Sequence, residues 1–181
     1  MKKLLVLLLL LFNHNHIYAN PEVIAGLSQG GKLVFIRHAL APGGGDPENF
    51  DLNDCSTQRN LDSFGILQAK KIGEFFKDNK IQIEQVLSSE WCRTKDTAQY
   101  AFGKYKTFSA LNSFFSSKFV QNKEKQMKEL KVFVKNWNSK KNIVFVTHYV
   151  VILETFSTTV SSGEIIVADI NYKVIGTIEI N

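Results

Sequence analysis

Short apolar runs punctuate the chain, and each ends abruptly in polar or charged residues. Leu33-Val34-Phe35-Ile36 runs into Arg37-His38, a run within 81–89 stops at Ser88-Ser89, and Ile143-Val144-Phe145-Val146 stops at Thr147-His148. Continuous runs of this length, rich in β-branched and aromatic residues, predict buried strands. Between them the period becomes helical. Asp62 has the chemistry of an N-cap for a helix reaching about residue 78. Its predicted apolar face is Phe64, Leu67, Ile72, Phe75 and Phe76, with Lys70, Lys71, Glu74 and Lys77 outward. A turn and helix follow over 90–102, and a helix over 122–138 sets Met127, Leu130, Val134 and Trp137 on one face. A helical return covers 149–156, a short strand falls near 107–111, and two closing strands lie within 164–170 and 173–180. Residues 20–31 read as a mobile or irregular lead-in. Alternating strands and helices predict an α/β three-layer sandwich whose central sheet is mostly parallel and flanked by helices.

The N-terminus changes the compartment. Met1-Lys2-Lys3 and the apolar stretch 4–12, followed by Ile17-Tyr18-Ala19, read as a secretory signal peptide over 1–19. Nine apolar residues fall short of the roughly 20 that span a bilayer, so an uncleaved anchor is the weaker alternative and stable membrane insertion after cleavage is not expected. The expected location is periplasmic or secreted, and residues 20–181 make one domain. Lys2 and Lys3 leave with the leader, lowering the net charge of +5 by two. The remaining lysines are scattered without an aromatic platform, which argues against nucleic acid and for a solvated surface. Cys55 and Cys92 remain where a disulfide is chemically allowed, although spacing alone does not bring their Cα atoms within reach.

Histidine and arginine are used sparingly. His14 and His16 belong to the leader, leaving His38 and His148, each closing a predicted strand. Of 22 basic residues only three are arginine: Arg37, Arg59 and Arg93. Lysine serves for generic surface charge, whereas arginine suits planar, bidentate binding of an anion. Arg37 and His38 at a strand end could simply face water. If the two histidines and three arginines converge, they form an anion pocket, with phosphate the natural anion. Arg93 near a helix N-terminus fits, because free N–H groups there also favour anions. The connection over 40–60, containing Pro42-Gly43-Gly44-Gly45, has the length of a functional loop. Its Asp46, Glu48, Asp51 and Asp54 either border the site or solvate the loop.

Four separated blocks in order resemble the histidine phosphatase superfamily, the phosphoglycerate-mutase-like group. They are Arg37-His38 after a strand, Thr57-x-Arg59-x-Leu61 before the helix start at Gly65, Ser88-Ser89-x-x-x-Arg93-Thr94-x-x-Thr97-Ala98, and Thr147-His148. The resemblance covers about residues 32–164, and Ser162-Gly163-Glu164-Ile165 looks like members of its small exported branch. It implies a phosphoglycerate-mutase-like fold and a catalytic His38 that attacks phosphorus and becomes a phosphohistidine. Arg37, Arg59, Arg93 and His148 would hold the phosphoryl oxygens. No metal or cofactor is implied. The chemistry agrees: an in-line nucleophile must be a neutral imidazole with one nitrogen tied back, and nearby guanidiniums disfavour the imidazolium.

Two positions depart from the family pattern. Ala39 stands where the signature has glycine, a change that a turn without positive φ tolerates. Many relatives carry a glutamate proton donor after the third block, but the comparable stretch here, Leu111-Asn112-Ser113, has Asn112. Glu90, Asp46 and Asp51 are the candidate substitutes. The expected activity is hydrolysis of phosphomonoesters. A chain without room for a capping domain suits phosphate on an envelope glycolipid or a protein, and small sugar phosphates also fit. Mutase activity is disfavoured because it needs phosphate donors outside the cytoplasm. The alternative is a non-catalytic or weakly active phosphate-binding module that retains the pocket. A Cys55–Cys92 disulfide would tie together the segments carrying Arg59 and Arg93. The sequence leaves the oligomeric state open.

Overall fold

The computed structural model describes residues 18–180. Seven strands form one sheet: β1 (Tyr18–Ala19), β2 (Leu33–Arg37), β3 (Ile83–Ser88), β4 (Lys106–Thr107), β5 (Asn142–Thr147), β6 (Ile165–Ala168) and β7 (Val174–Glu179). Their order is β1-β7-β6-β2-β5-β3-β4. The sheet is parallel across β2, β5, β3 and β4. It continues antiparallel through β6, β7 and β1. Five helices flank it: α1 (Pro21–Gln29), α2 (Ser63–Asp78), α3 (Cys92–Phe102), α4 (Lys123–Asn136) and α5 (Tyr149–Phe156). The leader over 1–19 lies outside the described residues, except that Tyr18–Ala19 pair with β7.

Period-two alternation along the central strands builds two cores. Val34 and Ile36 of β2 and Val144 and Val146 of β5 face a cluster with Leu27, Ile72, Phe75 and Phe76. Leu33, Phe35 and Phe145 face the opposite cluster, with Leu130, Val134, Val151 and Ile152. Strands buried on both faces must be apolar throughout, which is why β2 and β5 read as unbroken runs.

Three local expectations are corrected. Residues 20–31 are not an irregular lead-in but contain α1: the Asn20 side chain accepts from Glu22 N–H, Pro21 opens the helix, and Gly30 ends it at φ 76°. Val23 and Leu27 then seal the sheet. The strand near 107–111 is limited to β4, because the chain turns into a 3₁₀ turn at Ser109–Leu111 that buries Ala110 and Leu111. In α2 the buried stripe is Gly65, Ala69, Ile72, Phe75 and Phe76, while Phe64 and Leu67 are 71% and 51% exposed. Gly65 is what turns the helix this way. A Cβ there would lie 2.0 Å from the Leu40 carbonyl oxygen, so only glycine lets α2 press on the loop leaving β2.

Candidate active site

The carboxyl ends of the parallel strands converge on one cavity of about 400 Å³, lined by Arg37, His38, Asp46, Arg59, Arg93 and His148 among others. Openings of this kind are where parallel α/β sheets hold ligands. A larger groove of about 840 Å³ between α4 and the β3–β4 edge carries no histidine or arginine on its walls. The histidines and arginines therefore gather at the strand ends and not in that groove.

β2 delivers Arg37 and then His38, whose backbone N–H donates to the Thr147 carbonyl at 2.9 Å. His38 Nδ1 lies 2.8 Å from the Ala39 carbonyl. A carbonyl only accepts, so Nδ1 carries the proton and Nε2 keeps its lone pair. Burial, then the Arg93 charge, push this imidazole well below the ordinary histidine value; the Ala39 hydrogen bond opposes, and Arg37 and Arg59 add to the depression. Ala39 is fully buried. Among described non-glycine residues positive φ occurs only at Lys80, Ser157 and Tyr172, so the Ala39 methyl needs no left-handed backbone.

β5 delivers His148 to the start of α5, with the two imidazole centroids 5.6 Å apart. Burial and Arg93 again lower its pKa well below the ordinary value, with His38, Arg59 and Arg37 adding to this. His148 Nε2 lies 2.8 Å from Ser89 Oγ. Ser89 Oγ donates its one proton to Asn112 Oδ1 at 3.2 Å, so the His148 Nε2–H donates to Ser89 Oγ. Asn112 accepts from Glu90 N–H at 2.9 Å and donates from Nδ2 to Glu90 Oε2 at 2.6 Å. A polar chain from Glu90 to His148 thus fixes the second imidazole.

The three guanidiniums border the cavity by different means. Arg37 donates to the Val160 carbonyl at 2.7 Å. Arg59 donates to the carbonyls of Gly45, at 2.9 Å, and Ala41. Arg93, in the first turn of α3, is clamped by Asp46 through contacts of 2.6 and 3.1 Å. Asp46 also accepts from Trp91 Nε1–H at 3.0 Å. Burial alone would raise the Asp46 carboxyl, but the Arg93 hydrogen bonds and charge outweigh it and hold the group below its ordinary value. Burial and the Arg93 charge lower Arg59 as well. The Nε–H groups of Arg37 and Arg93 are buried without an acceptor among the described residues. Unpaired buried donors are costly, and an anion would supply the missing acceptor.

Cys55 and Cys92 form a disulfide with Cα atoms 5.8 Å apart. It joins the loop carrying Arg59 to the first turn of α3, where Cys92 N–H also donates to Gln58 Oε1 at 2.9 Å. Of the candidate proton donors, Asp46 lines the cavity but is occupied by Arg93, and Glu90 is held by Asn112. Asp51 is exposed in the loop, caps Asn53 N–H, and is not among the lining residues. Sequence reasoning assigned no partner to Asp46 and no role to Ser89 or Trp91. Ser89 directly follows a strand run, as His38 and His148 do, and that equivalence was the available signal. Among the described residues no group of three or more His, Cys, Asp or Glu is placed to hold a metal ion.

No family model matches the sequence, and no curated protein matches it. Solved structures do match. The crystal structure of TTHB049 from Thermus thermophilus is 12% identical with a TM-score of 0.59, over 82% of this chain and 99% of that one. Rv3214 from Mycobacterium tuberculosis is 15% identical with a TM-score of 0.56, over 83% and 95%. The protein histidine phosphatase SixA, solved with tungstate, is 13% identical with a TM-score of 0.55, over 82% and 96%. The chain accordingly has the phosphoglycerate-mutase-like α/β fold that these proteins share, with its histidines and arginines gathered at the carboxyl ends of the parallel strands.

Proposed function

We propose that this chain is an exported histidine phosphatase that hydrolyses phosphomonoesters through a covalent phosphohistidine on His38. The carrying observation is one cavity bordered by two buried imidazoles and three guanidiniums. Asp46 balances one guanidinium, leaving about two positive charges, which matches a phosphate group of about −1.5 to −2. His38 Nε2 attacks phosphorus as the P–O bond to the leaving group breaks. Arg37, Arg59 and Arg93 stabilise the charge spread over the equatorial oxygens, and His148 borders the same cavity with its Nε2 paired to Ser89. Water then cleaves the N–P bond and releases phosphate. That SixA is a histidine phosphatase seen with tungstate, a tetrahedral oxyanion, supports the same use of this cavity.

Export rests on the sequence of residues 1–19, and the Cys55–Cys92 disulfide suits an oxidising compartment. Cleavage after Ala19 would remove β1 while leaving β7 paired with β6. N-terminal sequencing of exported protein is expected to begin at Asn20.

A second reading, a phosphate-binding module with little or no turnover, is favoured by the absence of a free carboxyl among the described lining residues. Labelling with a phosphorylated substrate, quenched in alkaline detergent so that a phosphoramidate survives, separates the two. Acid-labile, base-stable label that is lost in His38→Ala supports the phosphatase. Saturable phosphate binding without label would refute it in favour of the module.

A further inference from the structure

Beside its arginines and histidines the cavity carries walls of a different chemistry. Trp91, Phe115, Phe119, Tyr149 and Val150 line it, and the remaining polar groups are Ser113, Ser116 and the backbone of Gly43, Gly44 and Gly45. Trp91 is 2% exposed and is held between Phe50, stacked at 5.2 Å, and Phe119, edge-on at 5.5 Å. Phe115, in contrast, is 69% exposed at the rim. Among the described residues the only carboxylate on the lining is Asp46, already engaged by Arg93 and Trp91. The cavity therefore offers aromatic surface to a leaving group but no carboxylic acid to protonate it.

We infer that the site selects phosphate esters of apolar, weakly basic leaving groups, namely aryl phosphates, a substrate class that rests on His38 being the nucleophile. In the first step Nε2 bonds to phosphorus and the P–O bond breaks with its electron pair on the phenolic oxygen. The phenolate, from a phenol of pKa about 10, leaves without a proton and takes one from bulk water. An alkyl ester would have to release an alkoxide nearly as basic as the hydroxide of water, pKa about 15.7. Without general acid assistance that step forfeits about 10²–10⁴-fold in rate. A diphosphate is also a good leaving group, but beyond the three arginines its second charge meets no cation among the described lining residues. The same aryl phosphate chemistry occurs in free phenolic esters and in tyrosine phosphate.

The test compares kcat/KM for phenyl, 4-nitrophenyl and n-butyl phosphate on the full chain, with quenched labelling of His38 for each. Phenyl phosphate is expected to exceed butyl phosphate by at least about 100-fold. Phe115→Ser, a change at an exposed rim position, is expected to raise KM for phenyl phosphate about three- to tenfold, with inhibition by inorganic phosphate unchanged. Phosphotyrosine as a blocked amino acid and within a peptide distinguishes the two sources: equal values point to free esters, and a peptide preference to protein. Butyl phosphate turned over within tenfold of phenyl phosphate, with His38 labelled, overturns the aryl selectivity and leaves the phosphatase standing. No label from any ester overturns both.

Discussion

Lowering the pH from 7.5 to 5.5 should remove about 2.7 kcal/mol of folding stability through the two strand-end histidines. His38 and His148 are almost fully buried, and burial followed by the Arg93 charge holds both well below the ordinary value of 6.5. In the unfolded chain each returns to that value. As the pH falls through 6.5 the unfolded state binds two protons that the folded state does not. The stabilisation is thus complete above pH 6.5 and is lost as the pH drops toward the depressed folded values. Each fully unbalanced proton costs about 1.36 kcal/mol per pH unit, and integration from 7.5 to 5.5 gives about that amount per histidine as the limit in which neither imidazole takes a proton in the folded chain. Asp46, held below 3.8, contributes nothing in this window, while Asp96, raised by burial, pulls weakly the other way. The comparison of parent with His38→Gln removes such common contributions. Urea unfolding followed by tryptophan fluorescence at the two pH values should give a loss of about 2.7 kcal/mol for the parent and about 1.4 kcal/mol for the variant. Equal losses in both proteins, or a flat parent, would refute the buried neutral pair.

Other perturbations test separate parts of the structure. Ser89→Ala removes the 2.8 Å partner of buried His148 Nε2 and should cost about 1–3 kcal/mol of stability, with phosphate inhibition weakened about tenfold in competition assays. Replacing Cys55 and Cys92 by serine opens a cross-link of sequence separation 37; denaturant titration should register a loss of about 3–4 kcal/mol. Gly65→Ala pushes a methyl into the Leu40 carbonyl and should destabilise by about 1–3 kcal/mol. Gly44→Ala, whose Cβ meets nothing within 4 Å, is the control and should leave thermal unfolding nearly unchanged.

How far the site was legible depended on where each residue lies relative to the core. His38 and His148 each follow a run that had to be buried, and a strand buried on both faces delivers whatever follows it to the sheet's end. Arg93 was legible in the same way, from the strand-turn-helix pattern after Ser88-Ser89. Asp46 was not, because its partner lies 47 positions away and loop acids look alike in sequence. The chain from Glu90 through Asn112 to Ser89 was invisible for the same reason: its members belong to two segments that meet only in the folded chain.

The primary structure by itself determined the order of strands and helices from β2 onward, the two-sided burial of β2 and β5, and the small set of residues able to bind an anion. Those follow from periodicity and side-chain chemistry, which are local. Tertiary structure alone decided which face of α2 turns inward, because that depends on the Leu40 carbonyl meeting a glycine. It also decided that β6, β7 and β1 extend the sheet antiparallel, and that Asp46 holds Arg93 rather than standing free. Each of these outcomes depends on the distance between segments remote along the chain, and only packing sets that distance.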